Sequence, residues 1–199
     1  MNLRHATGHE MLIAHDLWGA NLYPALKDTR IVDAYFSGEA AQWLVERYSF
    51  QPPPADFPMP EEWEERCCCV VDDNSHLRFI FLPREHKLLL PAWAHEFGHA
   101  VCDYRYPESR QWSTEKLEAF ACLSDVNYEK HPVKEDPEEW QFRAHLAAME
   151  ADPLYRGPLQ RARSLRMLKL NEQCEHIARD LKAPSDQVPL DDAGAVEEF

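Results

Sequence analysis

The sequence predicts an α+β fold in which a small β-sheet or hairpin leads into a pair of buried helices, with further helices on both sides. Three observations support this prediction. Two runs rich in β-forming residues surround a polar turn at residues 72–75, which is typical of a hairpin. Two longer stretches, 86–105 and 114–128, have the apolar character of buried helices. Near the start of the chain, apolar residues recur every three to five positions.

Composition and charge exclude several classes of protein. Hydrophobic residues make up 45% of the 199 residues and aromatic residues 11%, which is enough for a folded core. The chain has 21 Lys and Arg against 35 Asp and Glu, a formal net charge of −14. Such an acidic protein would repel phosphate groups from a broad surface. We therefore expect no direct binding of nucleic acid.

The sequence also predicts the compartment. It has no uncharged apolar stretch of the roughly 18 residues that a membrane span requires, and charged and histidine side chains interrupt the first 20 residues, where a signal peptide would be apolar. The six cysteines include an adjacent trio at 67–69 and no CxxC pair, so reduced, buried thiols are expected. We expect a cytoplasmic protein without membrane contact.

The N-terminal part, residues 1–50, is predicted to be helical. Five prolines then occur within residues 51–60, and they exclude regular structure there. Residues 51–66 are therefore interpreted as a proline-rich strap.

The central part, residues 67–130, is predicted to be the core. Residues 67–71 and 76–82 form the hairpin, and in the second strand one face is strongly apolar and the other mixed. The helix at 86–105 follows, and Ser113 or Thr114 can cap the helix at 114–128.

The C-terminal part, residues 137–182, is predicted to contain one helix at about 138–150 and a last helix at about 158–181. We interpret residues 1–182 as a single domain. Residues 183–199 are acidic with few large apolar groups, so a disordered tail is expected.

The sequence His95-Glu96-Phe97-Gly98-His99 matches the pattern HExxH. On a helix, residues i and i+4 lie one above the other, so both imidazoles can bind one tetrahedral Zn²⁺. Glu96 is offset by one residue and can reach a water at the open position, where it would act as general base. Small and apolar neighbours indicate that this helix is buried.

Such a zinc site needs a third protein ligand. A histidine six positions after His99 would complete a different type of centre, but that position is Arg105. Glu118 is the leading candidate, because its apolar neighbours indicate an interior position in the next helix. Glu115 and Asp125 lie on nearly the same face and remain alternatives.

The segments AHEFGHAV (94–101) and EKLEAFACLSDV (115–126) together resemble the zincin metallopeptidases of the gluzincin type, and within them most closely the ImmA/IrrE-like group. The resemblance implies a zincin-like fold, with His95, His99 and Glu118 as zinc ligands and Glu96 as catalytic base. It also implies a protein or peptide substrate of the repressor-like regulatory kind.

The leading hypothesis is therefore a zinc-dependent endopeptidase. The alternative is a zincin-fold binding or regulatory protein with structural zinc and no proteolysis, in which a residue such as Cys102 would close the fourth coordination position. Hydrolysis of a non-peptide amide is a more distant option. Several residues are candidates for holding the oxyanion, namely Tyr104, Tyr106, Tyr128, His131 and His145.

Overall fold

The architecture is α+β, as predicted. The structure is a computed structural model that describes residues 3–19, 23–33, 67–72, 76–82, 89–130 and 139–179. The predicted strap at 51–66 and the predicted tail at 183–199 lie outside these residues.

The elements in chain order are β1 (Leu3–Arg4), α1 (Gly8–Trp18), α2 (Tyr23–Lys27), β2 (Thr29–Asp33), β3 (Cys68–Val71), β4 (Arg78–Leu82), α3 (Leu89–Arg105), a 3₁₀ helix (Pro107–Gln111), α4 (Thr114–Lys130), α5 (Glu139–Ala151), α6 (Pro153–Ser164) and α7 (Leu170–Ala178).

The strands form a four-stranded sheet in the order β1-β2-β4-β3. The predicted hairpin is confirmed, since β3 and β4 pair antiparallel with Cys69 opposite Ile80. On its other side β4 pairs parallel with β2, with Ile31 opposite Ile80. All five residues of β4 are buried. The mixed face, which carries Arg78, is therefore covered as completely as the apolar face.

The prediction that the whole N-terminal part is helical is wrong in two places. Helices α1 and α2 lie there, but Thr29–Asp33 is the strand β2 and Leu3–Arg4 is the short strand β1. Three of the five residues of β2 are β-branched (Thr29, Ile31 and Val32), a type that suits a pleated strand. The pairing of β2 with β4 joins segments far apart in the chain, so local periodicity does not reveal it.

The single C-terminal helix predicted at 158–181 is in fact two helices. Helix α6 begins earlier, after Asp152, whose carboxylate accepts the N–H of Leu154 at 2.8 Å. The chain turns before α7 begins, and the buried side chain of Gln173 donates to the carbonyls of Leu165 and Leu168 at 3.3 and 3.2 Å. The amide of Gln173 thus gives the carbonyl of Leu168 a donor at the break. It adds a second donor to the carbonyl of Leu165, which also accepts the backbone N–H of Leu168 at 2.9 Å.

None of the helices in the described ranges is both long and apolar enough to cross a membrane.

Candidate metal centre

The HExxH motif lies in the buried middle of helix α3. His95 is 3% exposed and Glu96 is 6% exposed. The rings of His95 and His99 stand one helical turn apart, with centroids 5.3 Å apart and planes at 82°. The two imidazoles are therefore neighbours on one face of the helix, as their spacing predicts.

Glu118 on helix α4 reaches both imidazoles. Its Oε2 atom lies 3.1 Å from Nε2 of His95 and 3.6 Å from Nε2 of His99. The ligand atoms of these three side chains all lie within 4.8 Å of one another, so they could hold a metal ion. Of the three carboxylates left open by the sequence, this is the one that completes the group.

A close helix crossing brings Glu118 to this position. A Cβ atom built on Gly98 would lie 2.8 Å from the Cα of Ala121 and 3.2 Å from the indole of Trp18. The same indole stacks on Phe120 of α4, with centroids 5.7 Å apart. Glycine within the motif therefore lets α3 and α4 approach closely enough for a short Glu side chain to bridge them.

The other two carboxylates have different surroundings. Glu115 is exposed, and its Oε1 lies 4.0 Å from the place of a Cβ on Gly157 in α6. Asp125 is completely buried, and its Oδ2 lies 2.9 Å from Nδ1 of His95. Asp125 therefore holds the ring nitrogen that faces away from Glu118, an arrangement that orients metal-binding histidines in many proteins.

The carboxylates and imidazoles shift one another's protonation. Burial would lower the pKa of His95, but its hydrogen bonds to Asp125 and Glu118 outweigh burial and raise that pKa well above its ordinary value. Burial would raise the pKa of Glu118, but the imidazoles of His99 and His95 hold it well below its usual range. The carboxylates of Glu118 and Asp125 thus favour a positive charge at this place.

Glu96 lies where the motif meets the sheet. Burial raises the pKa of its carboxyl group and Glu118 raises it further, while His99, His95 and the backbone N–H of Cys69 act in the opposite direction. The carboxylate accepts that N–H from β3, the strand at the end of the sheet order. A buried carboxyl group with a raised pKa is suited to accept and return protons.

Two further side chains lie against the centre. The ring of His145 on α5 lies 6.0 Å from that of His95, and its Nε2 is 3.5 Å from Oδ1 of Asp125. The ring of Tyr155 on α6 meets His95 edge-on at 5.8 Å. From the sequence, His145 is only one of several oxyanion candidates, and Tyr155 is not predicted to lie near the site. His145 lies three positions after the buried Phe142, which is a weak signal that it points inward.

The remaining oxyanion candidates have other contacts. The hydroxyl of Tyr106 donates to Glu175 at 3.2 Å. Tyr128 is buried and stacks on Phe142 at 3.6 Å. Arg78 lies over the ring of Tyr104 at 5.6 Å. His131 lies outside the described residues.

The cysteines near the motif differ in their surroundings. Cys102 forms a side-chain hydrogen bond with Ser109, and its charged neighbours are Asp103 and Lys116. Cys122 is closer to the centre, because both Asp125 and Glu118 act on its thiol. All the cysteines in the described ranges whose side chains are placed are free thiols.

Comparisons of the chain with models of protein families, with curated proteins and with solved structures found no match.

Proposed function

We propose that this protein is a zinc-dependent endopeptidase. The observation that carries the proposal is the meeting of His95, His99 and Glu118 within 4.8 Å of one another, with the buried Glu96 next to His95 in the chain. Two imidazole nitrogens and one carboxylate are a ligand set that zinc uses in catalytic sites. Three protein ligands leave a fourth position for water.

The chemistry follows from the placement of the side chains. Zinc held by His95, His99 and Glu118 would activate a water for attack and polarise the carbonyl of the substrate. Glu96 takes the proton of the attacking water and returns it to the leaving amine. Its raised pKa helps the second transfer. Asp125 keeps the proton of His95 on Nδ1, which leaves Nε2 for the metal.

The sheet supports an extended peptide as substrate. Strand β3 is the last in the order β1-β2-β4-β3 of the described strands, and its Cys69 is hydrogen-bonded to Glu96. A peptide added along this edge would pass beside the general base, with backbone hydrogen bonds supplying affinity. We infer a protein substrate, and the resemblance to the ImmA/IrrE-like group favours a repressor-like regulator.

The alternative function has less support. A structural zinc site usually has four protein ligands, and Cys102 is the residue the sequence offered for the fourth. That thiol contacts Ser109 instead. Within the described ranges two groups of side chains could hold a metal, His95, His99 and Glu118 or His95, Asp125 and His145, and Cys102 belongs to neither. A binding protein without hydrolysis remains an outcome of the experiments below.

Metal content tests the site first. Wild type, Glu96→Gln, Glu118→Gln and Glu115→Gln would be purified under metal-replete conditions and analysed for bound elements. We expect about one zinc per chain in all but Glu118→Gln, since three-ligand sites bind one ion. Glu115→Gln is the matched control, an exposed glutamate three positions earlier on α4. Absence of zinc from the wild type would contradict the proposal.

Cleavage tests the reaction. Cells expressing wild type or Glu96→Gln would be compared by mass spectrometry of protein N-termini. We expect new N-termini with the wild type only, and capture of the uncleaved substrate by Glu96→Gln. A wild type that holds zinc but yields the same N-termini as Glu96→Gln would favour the binding protein.

A further inference from the structure

One oxygen of the most buried carboxylate at the centre lacks a hydrogen bond. Asp125 is 0% exposed, and its Oδ2 is bound to His95. Its Oδ1 is buried and makes no hydrogen bond to any described residue. A carboxylate oxygen in this state costs free energy, because water cannot replace the missing donor. The Nε2 atom of His145 lies 3.5 Å from this oxygen.

Metal binding makes a donor at this oxygen more important. An ion on Nε2 of His95 requires that the proton of the ring be on Nδ1, where Asp125 accepts it. Asp125 then holds His95 through Oδ2 alone, while its Oδ1 is buried without a hydrogen bond to any residue that the structure describes. An ionised buried carboxylate needs donors on both oxygens to offset the loss of hydration. The ring of His145 is the neighbouring group on α5 that offers one.

We propose that His145 is a positioning residue of the metal centre, whose Nε2–H donates to Oδ1 of Asp125 and holds that carboxylate against His95. The distance needs to shorten from 3.5 Å to about 2.9 Å, a normal hydrogen bond. The inference rests on the proposed zinc site and extends it to helix α5, which supplies no ligand to it. Helix α6 also contacts the centre, because the ring of Tyr155 lies edge-on to that of His95 at 5.8 Å.

Three variants test the donor. His145→Leu removes it with a side chain of similar bulk. His145→Gln keeps an N–H donor near the place of Nε2. His176→Leu is the control, a partly buried histidine on α7 that belongs to neither metal-holding group of the described residues. Zinc affinity would be measured by chelator competition, the ligand geometry from the visible spectrum of the Co²⁺ form, and folding from the melting temperature without metal.

We expect His145→Leu to weaken zinc binding about tenfold, the lower end of the effect of such supporting residues, and to change the Co²⁺ spectrum. His145→Gln should restore affinity and spectrum, and His176→Leu should match the wild type. If His145→Leu does not fold, Gln and Asn at 145 are compared, because Asn is too short to place a donor at Nε2.

Two results would overturn the proposal. One is wild-type zinc affinity in His145→Leu, and the other is equal weakening in the Leu and Gln variants. In both cases the wild type still binds zinc, so the peptidase proposal stands. A wild type without zinc overturns both proposals together.

Discussion

A Cβ atom on Gly98 would lie 2.8 Å from the Cα atom of Ala121, a distance that real side chains do not reach. Gly98 lies next to His99 on α3, and Ala121 lies one turn after Glu118 on α4. The contact between these two small residues therefore sets the separation of the helices that carry the ligands. The indole of Trp18 covers the same crossing.

Gly98→Ala should destabilise the protein by about 2 kcal/mol, the usual cost of overpacking, and weaken zinc binding because Glu118 moves away from the imidazoles. Alanine has a higher helix propensity than glycine, which by itself would stabilise the helix by about 1 kcal/mol. A decrease in the free energy of unfolding can therefore be attributed to the contact of the new Cβ with Ala121. Urea denaturation and chelator competition measure the two effects. Gly8→Ala is the control, since a Cβ there meets nothing within 4 Å. Equal stability of both variants would refute the close crossing.

Asp125→Asn should lower zinc affinity by about 10- to 100-fold, the range found for groups that orient metal-binding histidines. Asparagine can still accept a hydrogen bond from His95, but it lacks the negative charge that strengthens the imidazole as a ligand. Isothermal titration with zinc measures the loss. Asp16→Asn removes an acidic group that is 62% exposed and should leave the affinity unchanged. Wild-type affinity in Asp125→Asn would show that the contact to His95 does not act on the metal.

The buried ion pair between Arg78 and Asp103 should contribute strongly to folding. The guanidinium lies 2.7 Å from the carboxylate, and the side chains are 8% and 6% exposed. Asp103→Ala should cost about 3–5 kcal/mol, because it leaves a buried charge uncompensated. Glu129→Ala, which breaks the more exposed pair with Arg163, should cost at most about 1 kcal/mol. The midpoints of urea denaturation compare the two variants. A similar loss of stability in both would contradict the burial of the Arg78–Asp103 pair.

Thiol reactivity should depend on pH in a defined direction. Burial raises the pKa of Cys102 to about 12 and that of Cys174 to about 11. Only the thiolate reacts, so both should resist alkylation in the native protein at pH 8 and react faster as pH rises. In denaturant all six cysteines should be modified, as peptide mass mapping would show. Rapid labelling of native Cys102 at pH 8 would mean that it is accessible.

The elements that depend on local patterns were predicted well. Two β-rich runs around a turn predict the hairpin, and apolar spacing with a capping residue predicts helices at 86–105, 114–128 and about 138–150. The structure has these helices at 89–105, 114–130 and 139–151. Ser113 does cap α4, since its Oγ accepts the N–H of Lys116 at 3.3 Å. These signals involve neighbours in the chain, and in these segments the tertiary contacts agree with them.

Elements that depend on distant partners were not predicted. The strand β2 has a short β-branched sequence that also fits a helix pattern, and its pairing with β4 decides the outcome. The break between α6 and α7 is supported by Gln173, whose side chain reaches back to carbonyls of the preceding turn. Neither the pairing of β2 with β4 nor the hydrogen bonds of Gln173 produce a periodic pattern in the sequence.

The sequence by itself determined which groups are available for metal binding and proton transfer. They are two histidines one turn apart on a buried helix, with a glutamate between them. The spacing of four residues is enough for that, because helix geometry is local. It left three carboxylates on one face of α4 as candidates. Only the tertiary structure assigned their places, with Glu118 against the imidazole Nε2 atoms, Asp125 against Nδ1 of His95, and Glu115 exposed near α6. The reason is the crossing at Gly98 and Ala121, a contact between distant residues that fixes which turn of α4 faces the histidines.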